Sequence, residues 1–232
     1  MINHIFAILW KQIKDTFKNK AILIQFLMFP VMTIIMENSM NIEGMPEHFF
    51  VNMFATMYVG MAPLVSISSI IAEEKENNTL RVLHMANVKA GEYFIGNAIY
   101  IWIICMIGSV VMGFAGGYEG ELLIKFLLFM AAGHLISILL GATVGVFSKN
   151  QMMATSIMVP VMMVFSFVPM ISMFNETIKK VGKVFYSQQL SLLLTNLQQA
   201  KPDGECIAVV FGNVLIIGIL FVLGYRRMYC KH

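Results

Sequence analysis

This sequence has little charge: Asp, Glu, Lys and Arg make up 12% of its 232 residues, while 58% are hydrophobic. That balance excludes an ordinary water-soluble domain and requires a bilayer as part of the solvent. Cysteine is also scarce, and Cys105, Cys206 and Cys230 form neither a CxxC pair nor a disulfide framework, so they read as small apolar residues. The phosphate-cradling spelling G-x-x-x-x-G-K-[ST] is absent, because the Gly182-Lys183 pair continues into Val184. The chain therefore cannot hydrolyse ATP alone. His4, His48, His84, His134 and His232 lack metal-ligand spacing, and no nucleophile elbow occurs, so no catalytic, cofactor or metal residue is assigned. The net charge of +3 is confined to certain loops; it reports orientation and gives no sign of nucleic-acid binding.

What is present is a series of long apolar runs, at about residues 21–36, 50–72, 93–116, 122–147, 153–174 and 206–225. Each is near the length a helix needs to cross hydrocarbon, roughly 20 residues. The expected fold is an all-α integral membrane protein with six transmembrane helices, a single domain over 1–232 with no room for a catalytic domain. Placing the amino terminus in the cytoplasm puts Lys11, Lys14, Lys18, Lys20, Lys75, Arg81, Lys89, Lys149, Arg226, Arg227 and Lys231 inside. The first outer loop then carries Glu37, Glu43 and Glu47 without Lys or Arg, in line with the positive-inside bias. Both termini are expected in the cytoplasm.

Segment 1–20 sets Ile2, Ile5, Phe6, Leu9, Trp10, Ile13 and Phe17 on one helical arc and Lys11, Lys14, Asp15 and Lys18 on the other. This pattern suits an interfacial helix whose lysines meet anionic lipid headgroups. Met36-Glu37-Asn38-Ser39 is no small-residue cleavage site, so signal removal is not expected. The outer loop 175–205, which holds Lys179, Lys180, Lys183 and Lys201, departs from the charge bias. Its apolar residues recur at helical spacing (Ile178, Val181, Phe185, then Leu190, Leu193, Leu194, Leu197), so it is expected to fold back as one or two short amphipathic helices. Pro30, Pro63, Pro160 and Pro169 interrupt the spans, and Gly141-x-x-x-Gly145 matches a close-packing motif.

Ionisable residues inside the spans are rare. His134 is the main one, and a hydrogen-bonded structural histidine is the expectation there. Gln25, Asn97, Asn213 and Ser66 to Ser69 suit helix–helix hydrogen bonding better than ion coupling. The segment after the second span, residues 73–92, is more informative. Glu73, Glu74 and Glu76 would suit a helix amino terminus, and Leu80, Val82 and Leu83 would give the next turns an apolar face. On spacing alone the segment is either a docking plug for a cytosolic partner or a solvated loop.

This segment resembles the first cytoplasmic loop of the type-2 exporter class of ATP-binding-cassette permeases, whose pattern runs roughly E-K-E-x-G-T-L-E-x-L-L. Glu74, Lys75, Glu76, Thr79, Leu80 and Leu83 match in register, and Tyr93 and Gly96 fit the start of the next span. Asn78 stands where the pattern has glycine, Arg81 where it has a second acid, and Asn97 where lysine is frequent. The resemblance runs along nearly the whole chain. It implies two permease chains, the second the same or different, above two ATPase subunits that bind ATP and Mg. It also implies a loop around Glu73, Glu74, Glu76, Thr79, Leu80 and Leu83 that receives ATPase motion. By the same analogy, Ser66, Ser69, Met162, Met163 and Phe167 on the second and fifth spans would line a path for a hydrophobic or amphipathic cargo such as a peptide antibiotic, a drug or a lipid, across a bacterial plasma membrane. The alternatives are a non-transporting membrane immunity or scaffold protein, or an ion-coupled secondary transporter.

Overall fold

The computed structural model describes residues 2–18, 20–39, 46–198 and 202–229; Glu43, Lys201, Cys230, Lys231 and His232 lie outside them. Among the described residues the chain is helical throughout: α1 (Ile2–Lys18), α2 (Lys20–Ser39), α3 (Phe49–Glu76), α4 (Thr79–Met85), α5 (Ala90–Ala115), α6 (Gly120–Phe147), α7 (Gln151–Ser172), α8 (Glu176–Gly182), α9 (Tyr186–Thr195) and α10 (Gly204–Tyr229). Of these, six helices are long and apolar enough to cross a membrane: α2, α3, α5, α6, α7 and α10. They coincide with the six apolar runs of the sequence, and Pro30, Pro63, Pro160 and Pro169 all lie inside continuous helices. The chain is a multi-pass membrane protein.

The spanning helices are arranged around α3, in whose most apolar stretch 78% of residues are buried, against 11% in α10. In a bilayer apolar burial supplies little drive for helix association, so close van der Waals approach has to hold the bundle together. Glycine permits that approach on several sides. A Cβ on Gly60 of α3 would stand 2.6 Å from the Phe165 carbonyl oxygen of α7, and one on Gly108 of α5 would stand 2.5 Å from the Tyr58 hydroxyl. The Gly141-x-x-x-Gly145 pair of α6 crosses α3 at Leu64, Ile67, Ser68 and Ile71, the packing role expected of it.

Between residues 175 and 198 the chain forms two short helices, α8 and α9, where the periodicity left one or two open. The second, α9, is held firmly, with Tyr186, Leu190 and Leu194 buried. The Ser137 hydroxyl donates to the Val59 carbonyl at 2.7 Å and pairs with the Tyr186 hydroxyl at 2.7 Å, tying α9 to α6 and α3. Burial pushes the Tyr186 phenol well above its ordinary range, with the Ser137 hydrogen bond pulling more weakly the other way, so this tie stays neutral.

In α1 one stripe packs against the bundle and part of the apolar arc faces outward. The stripe buried against the bundle is Ile8, Gln12 and Thr16, while Phe6 and Trp10 are 69% and 56% exposed. Polar partners decide this choice: Thr16 hydrogen-bonds to Tyr100 and Gln12 to Glu74, and Ile8 lies over Gly96, where a Cβ would come within 3.0 Å. Phe6 and Trp10 are left facing outward, with the Lys14 ammonium 5.2 Å from the Trp10 ring centre.

Candidate functional site: the helix ends around Glu74

Glu73, Glu74 and Glu76 do not begin a helix. They close α3, which runs on past its apolar stretch to Glu76. Carboxylates at a helix carboxyl terminus oppose the helix dipole, so the expectation of an amino-terminal role is overturned and other groups have to compensate. The structure supplies them. Glu74, 6% exposed, accepts hydrogen bonds from the Lys11 ammonium and, at 3.3 Å, from the Gln12 amide of α1. Lys75 donates to the Val146 carbonyl at 2.6 Å and to the Ser148 carbonyl at the end of α6. Glu76 accepts from the backbone N–H of Gln151, the first residue of α7, at 2.9 Å. Both the Lys75 and Glu76 contacts satisfy helix-end groups that lack intrahelical partners, with the sign of charge that each end favours.

Two asparagines bracket α4. Asn78, with φ of 55°, turns the chain out of α3, and its carbonyl accepts from the Arg81 N–H at 3.1 Å. The left-handed region favours glycine, and asparagine is among the few other residues that enter it readily. This explains how Asn78 occupies a position where the resembling pattern carries glycine. Asn87, with φ of 58°, ends α4, and the Val88 N–H reaches back to the Leu83 carbonyl at 3.0 Å in a Schellman-type closure. Between these turns, Leu80 and Leu83 pack against the core, whereas Arg81, Val82 and Met85 are exposed, Val82 by 58% and Met85 by 70%.

The residues singled out from sequence therefore separate into two sets. Glu74, Leu80 and Leu83 turn inward, Thr79 is half-buried, and Glu73 and Glu76 lie at the surface. Sequence reasoning missed Lys11, Gln12 and Met85 as members of this site, and it set Val82 on one apolar face with Leu80 and Leu83, whereas Val82 points outward. The i, i+1 relation of Lys11 and Gln12 carried no sign of a partner more than sixty residues away.

The suggested path residues also separate. Ser66 is buried and accepts from the Gln25 amide of α2 at 3.3 Å, while Ser69 and Met162 are half-buried. Met163 and Phe167 on α7 are 53% and 38% exposed. None of the five lines a cavity of about 350 Å³ at the opposite end of the bundle, whose lining includes Glu47, His48, Asn52, Tyr118 and Asn196. His134 is buried and hydrogen-bonded through Nε2 to Ser109 at 2.9 Å. Among the described residues, no group of three or more His, Cys, Asp or Glu side chains comes together to hold a metal ion.

No curated protein matches the chain. A family model described as ABC-2 family transporter protein matches residues 3–226, nearly the whole chain. With six membrane-crossing helices and no ATPase motif of its own, the chain belongs to this family as a membrane-spanning permease component of an ABC transporter.

Proposed function

We propose that this permease works as an exporter: one of two permease chains that together form a path for a hydrophobic or amphipathic cargo, driven by separate ATPase subunits that bind ATP and Mg. On this reading the whole chain, 1–232, is one transmembrane domain of a bacterial plasma membrane with both termini in the cytoplasm. Within it α1 is the interfacial helix, 73–92 the coupling loop with α4 as its coupling helix, and 175–205 a re-entrant outer segment.

The observation that carries the reading is α4 itself. It is a short helix, fastened by Leu80 and Leu83 to the end of the most buried span, and it presents Arg81, Val82 and Met85 outward. Exposed apolar side chains on a charged, non-spanning helix suit a protein partner better than water. The cargo path is assigned to the outward face of α7 around Met163 and Phe167, where flexible thioethers and an aromatic ring suit varied apolar cargo.

The test is to purify the tagged chain from its native membrane and identify the ATPase that accompanies it. Val82→Asp and Met85→Asp are expected to abolish that association while leaving the chain folded in the membrane. Retention of a stoichiometric ATPase by both variants would refute α4 as the docking helix. Cargo movement that persists without ATP and collapses with the ion gradient would refute ATP-driven export.

A further inference from the structure

Resting on the coupling reading above, we infer that Glu74, Lys75 and Glu76 are positioning residues: an internal clasp that makes the neighbouring ends of α1, α6 and α7 move with α4. Consecutive residues on a helix point about 100° apart, so three in a row sweep more than half of its circumference. Each of these three meets a different element. Glu74 takes Lys11 and Gln12 of α1, Lys75 takes the terminal carbonyls of α6, and Glu76 takes the first N–H of α7.

The turn at Asn78 follows directly, so α4 cannot shift without dragging the end of α3. Helix α1 carries the motion further, because it is tied to α5 at two more points: the Thr16 and Tyr100 hydroxyls, and His4 Nδ1 donating to Glu92 at 2.8 Å.

The three limbs differ in strength. Isolated surface ion pairs contribute little, because water screens them. Glu74 is nearly buried and its limb is the strongest. Lys75 is half-buried, with strong charge-assisted bonds to two carbonyls, and the exposed Glu76 limb is the weakest. The clasp occupies polar groups that a docking surface would otherwise offer, which leaves Arg81, Val82 and Met85 for the ATPase.

The test uses the chain co-purified with its ATPase in lipid nanodiscs, with amide hydrogen exchange followed with and without ATP plus vanadate. In the wild type, 79–85, 145–153 and 4–16 are all expected to change exchange rate on nucleotide trapping. Lys75→Met should lose the response at 145–148, keep it at 79–85, and leave 151–153, which Glu76 holds, responding. Glu74→Leu should lose the response at 4–16, and Lys75→Arg, which preserves the charge, should retain all three. A full response at 145–148 in Lys75→Met, with 79–85 still responding, overturns the clasp and leaves the coupling reading standing. No response at 79–85 in the wild type overturns the coupling reading and the clasp with it. Should Lys75→Met fail to fold, the exchanged pair Lys11→Glu with Glu74→Lys decides the matter: restored response at 4–16 supports the clasp, and lost response in a folded protein refutes it.

Discussion

Replacing Gly141 by alanine tests the packing that fixes α3 in place. A Cβ at this position would stand 2.5 Å from Ile67 Cγ2 and 2.9 Å from the Leu64 carbonyl carbon, with the Leu64 carbonyl oxygen closer still. Ordinary van der Waals contact begins near 3.4 Å. Ile67 is fully buried and the Leu64 atoms are backbone, so neither obstacle can rotate away. Helices α3 and α6 would have to part by about 1 Å, and overpacking of this kind costs about 1–3 kcal/mol. The rigid obstacle places Gly141→Ala toward the upper figure. Gly218→Ala in α10 is the control, because a Cβ there meets nothing within 4 Å. For a chain of this size each kcal/mol corresponds to about 2–4 °C in melting temperature, so Gly141→Ala should melt several degrees below the control. With Cys230 replaced by serine, the buried thiols of Cys105 and Cys206 provide the assay, since a thiol-reactive fluorophore then reports them as the helices separate. Equal melting of the two variants would show that α3 and α6 do not cross at Gly141.

Asn78→Gly is expected to retain stability and ATPase association. Asn78→Val, which forces a β-branched residue to positive φ, should cost about 1–2 kcal/mol and weaken association, as read by thermal melting and co-purification. Lys11→Met leaves the buried Glu74 carboxylate with the longer Gln12 bond and should cost about 1.5–3 kcal/mol, measured by the same melting assay. Ser66→Ala should leave efflux of an apolar dye from reconstituted vesicles unchanged, because Gln25 keeps its bond to the Ala62 carbonyl at 3.1 Å. Phe167→Ala and Met163→Ala should reduce that efflux at little cost in stability; altered efflux in Ser66→Ala alone would move the path to the α2–α3 seam.

The resemblance carried by Glu74, Lys75, Glu76, Thr79, Leu80 and Leu83 agrees with the matched family, and the left-handed turn at Asn78 shows why that position tolerates asparagine. What those residues touch was not legible. The partners of Glu74 and Lys75 lie more than sixty residues away along the chain, and local periodicity holds no record of such pairing. In α1, periodicity located an apolar arc, but the face buried against the bundle is the stripe of Ile8, Gln12 and Thr16, chosen by glutamate and tyrosine partners on other helices.

Six apolar runs long enough to cross a membrane, the lack of an ATPase motif and a helical tendency before the last span were determined by the sequence alone. Hydrocarbon demands long apolar runs and satisfied backbone groups, and both are local properties that a single chain displays in order. Only the tertiary structure decided that α3 lies at the centre, that glycines set its distance from α5, α6 and α7, and that the acidic end of α3 binds its own neighbours. Those outcomes depend on which side chains meet across helices, and in a bilayer, where apolar surface faces lipid as readily as protein, close fit and polar partners make that selection.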